Sequence, residues 1–227
     1  MSTTGIDCIY LAAGLGVRMN RPLPKQFIPL LGKPIIVYSL EVLENVAEIQ
    51  RILVVYNREF RSMYEEMLLN YNLSKCTLIE GGATRQESVS RGLDTVLSSQ
   101  VIIHEASRPF ITVKFVQSLF AFSGEKAVVP VVPIPFTVSV GGDYMTAELD
   151  RSQLHNVQLP QLYDTEVLRR AHQKARRENY LATEDGILVF RLGERVRFVP
   201  GRESNIKITS PLDMIIAEYL LREAESI

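Results

Sequence analysis

Cysteine and histidine are scarce, and neither sign of charge dominates. The two cysteines, Cys8 and Cys76, lie far apart with no C-x-x-C spacing. That argues against a disulfide framework and a structural zinc site, and favours a reducing, cytoplasmic setting. The three histidines offer no metal-ligand spacing and no pairing with a cysteine or serine nucleophile. Lys and Arg number 25 against 26 Asp and Glu, a formal charge of −1. No global field draws in nucleic acid, so any bound anion must be held by a local cluster. No run approaches the roughly 18 consecutive apolar residues of a membrane span. The first twenty residues also lack a basic stretch followed by an uninterrupted apolar core. The expectation is a cytoplasmic protein with neither membrane nor nucleic acid as partner.

What is present is ordinary globular material: 227 residues, 46% hydrophobic and 22% charged, enough for one domain with a full core. Short β-branched runs at 6–12, 51–56, 100–104 and 126–132 suit strands buried on both faces. Between them, 34–46, 57–70, 84–97 and 112–122 carry helical spacing. Pro34 fits a first helical position, and Thr84 with Glu87 spells a capping box. The alternation predicts an α/β fold: a mostly parallel sheet covered on both sides, with ligands at the carboxyl ends of the strands. Regularity fails at about 134–161, where Gly141-Gly142-Asp143 between β-rich flanks predicts a projecting hairpin. Helices are predicted at 164–178 and 184–192, a strand at 195–199, and a terminal helix capped by Ser210 with Asp213 at its third position. Residues 1–227 read as a single domain with an arm at about 134–161.

Four clusters carry candidate chemistry. In IDCIYLAAGLGVRMNRPLPKQF an apolar run breaks into Gly14 and Gly16, and Arg18, Arg21 and Lys25 follow without a balancing acid. Glycines let the backbone turn tightly toward a phosphate, and the cations offset its charge. Read alone, the pair is equally a structural turn. Met19 stands where a dinucleotide fingerprint needs a third glycine, and no glycine-lysine-serine or threonine completes a Walker loop. The second cluster, EGGATRQESVSRGL, sets Gly81 and Gly82 before a capped helix bearing Arg85 and Ser88. It is either an anion or base site on free amides or a plain turn into a helix. The third, HEASRPF, puts Glu105 at a strand's carboxyl end, where a Mg²⁺ ligand would belong; His104 more often makes a local hydrogen bond. In the fourth, NIKITSPLD, Lys207 leaves the apolar face set by Ile206 and Ile208, as a solvated lysine also would.

Taken in order and spacing, AAGLGVRM with PKQF, GGATRQESV, HEASRP and NIKITSPLD resemble the cytidylyltransferases acting on 2-C-methyl-D-erythritol 4-phosphate and their relatives acting on ribitol 5-phosphate, over residues 6 to 221. The resemblance implies a Rossmann-like three-layer nucleotidyltransferase fold, mostly parallel and twisted, with a β-arm. It also implies transfer of CMP from CTP to 2-C-methyl-D-erythritol 4-phosphate, with release of pyrophosphate, in isoprenoid precursor synthesis, with Mg²⁺ as cofactor and a homodimer joined through the arm. By the same resemblance Ala12, Ala13, Gly14, Gly16, Arg18, Lys25, Gly81, Gly82, Arg85 and Ser88 hold CTP. Lys25, Lys207 and Arg18 are catalytic and Glu105 holds the metal. Arg108, Thr137, Arg151 and Thr183 contact the acceptor, partly from the neighbouring subunit's arm.

Several residues depart from the family pattern. Glu105 replaces an aspartate, Ser107 an alanine, and Phe136 and Ser139 an aspartate and a basic residue; TPQ becomes Leu159-Pro160-Gln161. Most lie on the acceptor side, so ribitol 5-phosphate or another polyol or sugar phosphate stays open as acceptor. A relative that binds CTP without turnover is a further reading. An NAD-dependent oxidoreductase, with Glu59 as a poor match for the ribose-binding acid, is the alternative of a different class.

Overall fold

The computed structural model describes residues 5–14 and 23–225. Among them the strands are β1 (Ile6–Leu11), β2 (Pro29–Leu30), β3 (Lys33–Pro34), β4 (Ile49–Tyr56), β5 (Cys76–Glu80), β6 (Gln100–Glu105), β7 (Ala127–Pro133), β8 (Ser139–Gly141), β9 (Met145–Glu148), β10 (His155–Val157), β11 (Gln161–Asp164) and β12 (Arg197–Pro200). The helices are α1 (Ile35–Glu44), α2 (Arg61–Asn70), α3 (Arg85–Thr95), α4 (Val113–Phe120), α5 (Thr165–Arg177), α6 (Asp185–Arg191) and α7 (Pro211–Glu225).

The centre of the main sheet is parallel, in the order β6, β1, β4, β5. β11 runs antiparallel between β6 and β7, and β12 adds parallel to β7. Along β1, Cys8 and Tyr10 pack with α1, α2 and α4 on one face. Ile9 packs with α3, α5 and α6 on the other. Burial on both faces explains why the strand reads as an apolar run without polar alternation. A third, smaller cluster joins Ile28, Leu30 and Ile35 to Ile208 and Ala217 of the last segment. It brings the two ends of the chain together beside the sheet.

Parallel pairing puts the carboxyl ends of β1, β4, β5 and β6 on one edge, so Ala12–Gly14, Gly81–Thr84 and Glu105–Arg108 emerge side by side. α3 lies close under this edge: a Cβ on Gly92 would come within 2.9 Å of Ile9.

The structure departs from the sequence reading at particular places. Pro34 is not the first helical residue: it pairs with Pro29 and caps α1 from outside, with φ −55° and ψ 138°. β5 and β11 were not anticipated, because CTLIE is half-exposed and QLYD carries polar ends. The predicted hairpin is shorter than 134–161: β8 and β9 form it alone, while β10 leaves the arm and pairs with β7. Around Lys207 no strand forms, yet the alternation holds, with Ile208 fully buried and Lys207 exposed. Ser210 and Asp213 cap α7 reciprocally, Asp213 Oδ2 accepting from the N–H groups of Ser210 and Thr209 at 2.8 and 2.7 Å.

Candidate active site

The end of β1 is fixed by a buried polar knot. Gln26 and Tyr64 both donate to the carbonyl of Ala12, at 2.7 and 2.6 Å, and Gln26 Nε2 lies 2.7 Å from the Tyr64 hydroxyl. A buried glutamine must satisfy its amide; doing so here fixes where β1 ends and what Lys25, its neighbour, faces. Lys25 Nζ donates to the carbonyl of Ile208 at 3.1 Å. Gly16 and Arg18 lie outside the described residues.

The diglycine turn uses its amides internally. Gly81 N–H donates to the Tyr56 carbonyl at 2.8 Å, Gly82 N–H to Ser88 Oγ at 3.1 Å and Ala83 N–H to Glu87 Oε2 at 2.8 Å. Thr84 caps α3 as expected, accepting from Glu87 N–H, but Glu87 reaches back to Ala83 instead of Thr84. The N–H groups of Gly81, Gly82 and Ala83 are therefore engaged within the turn itself. Carbonyl acceptors and the Ser88 hydroxyl proton remain for a base edge. A side chain at Gly81 would meet Ala13 Cβ at 2.7 Å, so the Ala13 methyl packs against the bare backbone of Gly81.

Glu105 ends β6 as the carboxylate of the cleft. Lys207 Nζ lies 2.6 Å from its Oε2 and Arg108 Nε 2.9 Å from its Oε1. Burial pushes its pKa up, but the Lys207 ammonium and the Arg108 guanidinium outweigh it and hold the carboxyl at about 2. His104 behind it is fully buried; its Nε2 faces the Arg108 carbonyl at 3.0 Å, and burial lowers its pKa to about 4. It is therefore neutral, and the accepting carbonyl puts its proton on Nε2. Its role is the local hydrogen bond. The turn is tied to the last segment where Ile208 N–H donates to the Ser107 carbonyl at 2.8 Å.

Arg85 reaches from the start of α3 to the start of α6. Its Nη1 lies 2.7 Å from Asp185 Oδ2, whose other oxygen faces His172 Nε2 at 3.0 Å. Burial disfavours the guanidinium charge, yet Asp185 and Glu184 raise its pKa.

Ala12, Ala13, Gly14, Lys25, Gly82, Arg85, Ser88, Glu105 and Lys207 line a single cleft of about 460 Å³. Gln26, Thr84 and Ser107 line it too, and the sequence did not single them out as ligands. Gly81 sits behind the cleft against Ala13. Arg108 does not line it, and Thr137, Arg151 and Thr183 stand exposed elsewhere, the first two in or beside the arm. Among the described residues no group of three or more His, Cys, Asp and Glu could hold a metal alone. Glu105 fits Mg²⁺ only in the mode where one carboxylate is completed by substrate phosphates and water.

A mostly parallel sheet with the cationic side chains of Lys25, Arg85 and Lys207 gathered in a cleft at its carboxyl edge is the architecture of an α/β nucleotide-handling enzyme. The family model described as 2-C-methyl-D-erythritol 4-phosphate cytidylyltransferase matches residues 6–223. The enzyme of that name from Geobacillus kaustophilus is 36% identical over 219 residues, 95% of this chain and 96% of its own. That from Bacillus velezensis is 38% identical over 220 residues, 95% and 94% of the two chains. The crystal structure of 4-diphosphocytidyl-2C-methyl-D-erythritol synthase from Anaerococcus prevotii superposes with a TM-score of 0.86 at 28% identity, covering 97% of each chain. The Thermus thermophilus cytidylyltransferase gives 0.78 at 30% identity, covering 96% of this chain and 99% of its own. The chain belongs to the 2-C-methyl-D-erythritol 4-phosphate cytidylyltransferase family, a family of transferases. The oxidoreductase alternative falls with that membership.

Proposed function

We propose that this chain transfers the cytidylyl group of CTP to 2-C-methyl-D-erythritol 4-phosphate and releases pyrophosphate. One observation carries the reading: Lys25 and Lys207, from opposite ends of the chain, line one cleft at the sheet's carboxyl edge. A phosphate oxygen of the acceptor attacks the α-phosphorus, the new O–P bond forms, and the bond to the β-phosphate oxygen breaks. A phosphate monoester is already a nucleophile near neutral pH, so the need is for positioning and positive charge around a crowded phosphorus. Lys25 and Lys207 supply that charge, and Arg18 joins them on the strength of the family resemblance. Ser88, whose oxygen is engaged by Gly82, keeps a hydroxyl proton to donate to the cytosine. Glu105 would hold Mg²⁺, which when bound neutralises phosphate charge.

The acceptor side is completed by a second copy. Among the described residues β8 and β9 pair only with each other, and a lone hairpin is marginal in water. Its surroundings expose Phe136, Tyr144 and Met145 at 76, 85 and 75%. A homodimer that buries these side chains supplies Thr137 and Arg151 to the neighbouring cleft. The free thiols Cys8 and Cys76 suit the cytoplasm, and no described helix is long and apolar enough to cross a membrane.

The test is pyrophosphate release with CTP, Mg²⁺ and a panel of polyol phosphates. Turnover with 2-C-methyl-D-erythritol 4-phosphate supports the reading; turnover with ribitol 5-phosphate alone changes the acceptor; no release with any removes the activity.

A further inference from the structure

Arg108, which the family resemblance places at the acceptor, turns its guanidinium toward three protein acceptors. Nε donates to Glu105 Oε1 at 2.9 Å, Nη1 to the Asn205 carbonyl at 2.8 Å and Nη2 to the Val157 carbonyl at 3.4 Å. Only 12% of the side chain is exposed. Its own backbone is held at both ends, N–H to the Glu105 carbonyl at 3.1 Å and carbonyl to His104. The three acceptors belong to three segments: the end of β6, the turn before Lys207, and β10 where it leaves the arm.

The turn before Lys207 is gripped by the same neighbourhood. Asn205, fully buried, donates to the Leu159 carbonyl at 2.7 Å. Gln158 donates to the Arg202 carbonyl at 2.8 Å and accepts from Arg202 N–H at 3.0 Å. A side chain on Gly201 would strike Gln158 Oε1 at 2.5 Å. Removing Arg108 would therefore free one oxygen of Glu105 and loosen the turn that aims Lys207.

We propose that Arg108 is a positioning residue for the Glu105–Lys207 pair, its fork tied to Glu105, Asn205 and Val157. A rigid planar fork suits this work, since its donors are fixed in direction and spread over two nitrogens and the Nε, where a lysine offers a single compact ammonium on a flexible stem. The geometry also ties the arm's root to the catalytic lysine through Val157. The inference deepens the cytidylyltransferase reading and rests on it for its kinetic part.

The experiment uses the full-length protein and the variants Arg108→Gln and Arg108→Lys, with thermal melts to verify folding. Outer-shell partners typically contribute about 10- to 100-fold, so kcat should fall by that factor in Arg108→Gln while the acceptor KM stays within about threefold. Arg108→Lys should recover little. A tenfold or greater rise in acceptor KM with kcat unchanged would overturn the proposal. Calorimetric titration of Mg·CTP into wild type, Glu105→Gln, Arg108→Gln and the double variant gives an independent readout. Positioning predicts strong non-additivity, because both single variants break the same pair; additive effects would count against it. If wild type releases no pyrophosphate, the function reading fails while this cycle still decides the role of Arg108. If Arg108→Gln does not fold, Arg108→Lys carries both measurements.

Discussion

Lys25 Nζ donates to the carbonyl of Ile208, 183 residues further along the chain. That bond joins the loop after β1 to the segment whose next side chain back, Lys207, pairs with Glu105. The apolar cluster of Ile28, Leu30, Ile35, Ile208 and Ala217 supports it from below. A contact across so much sequence is costly to close, and its location at the sheet's carboxyl edge gives that closure a use.

Gly81 should tolerate no side chain. In Gly81→Ala the new Cβ would sit 2.7 Å from Ala13 Cβ and 3.1 Å from the Tyr56 carbonyl, so the nucleotide loops must part, at about 1 to 3 kcal/mol. Gly142→Ala, where nothing described lies within 4 Å, is the control. Denaturant melts should separate the two, and equal stability would contradict the packing account.

Stability should fall in acid before the carboxylates titrate. His104 has its pKa lowered from 6.5 to about 4, so below 6.5 the unfolded chain binds the proton that the folded one refuses. Its contribution is present above pH 6.5 and lost as pH drops toward 4, up to about 3 kcal/mol. Glu105, held at about 2 against 4.5, loses its contribution from pH 4.5 downward. Urea melts at pH 7 and pH 4.5 should differ for wild type and much less for His104→Gln.

Asp185→Ala should destabilise by about 3 kcal/mol, the low end for a broken buried pair. Asp185 is fully buried, but Arg85 is 28% exposed on its side chain and keeps Glu184 at 3.5 Å. Because Arg85 lines the cleft, CTP affinity measured by calorimetry should weaken as well. An unchanged melt would mean that Arg85 finds its charge balance elsewhere.

The arm should set the oligomeric state. Light scattering is expected to give twice the 25.6 kDa of one chain. Tyr144→Ser with Met145→Ser should shift it toward monomer, with acceptor turnover lost and CTP binding kept. A monomeric wild type would remove Arg151 and Thr137 from the neighbouring site.

Much of this was legible because it follows from local chemistry. Strands buried on both faces must be apolar, and Thr84 and Ser210 announce their helices. What stayed hidden depends on distant partners. β11 is readable only once β6 and β7 flank it, and nothing local distinguishes buried Gln26 or Asn205 from a solvated amide. The inward turn of Arg108 was likewise invisible, since arginine in HEASRP reads as a ligand until Asn205 and Val157 are placed beside it. The N–H groups of Gly81, Gly82 and Ala83 bond to Tyr56, Ser88 and Glu87, residues whose approach the sequence does not display.

Lys25 and Lys207 are expected to act on one triphosphate. Pyrophosphate release at saturating CTP, Mg²⁺ and 2-C-methyl-D-erythritol 4-phosphate should fall about 10²- to 10³-fold in Lys25→Ala and again in Lys207→Ala, each still folded. A near-wild-type rate in either variant would contradict it.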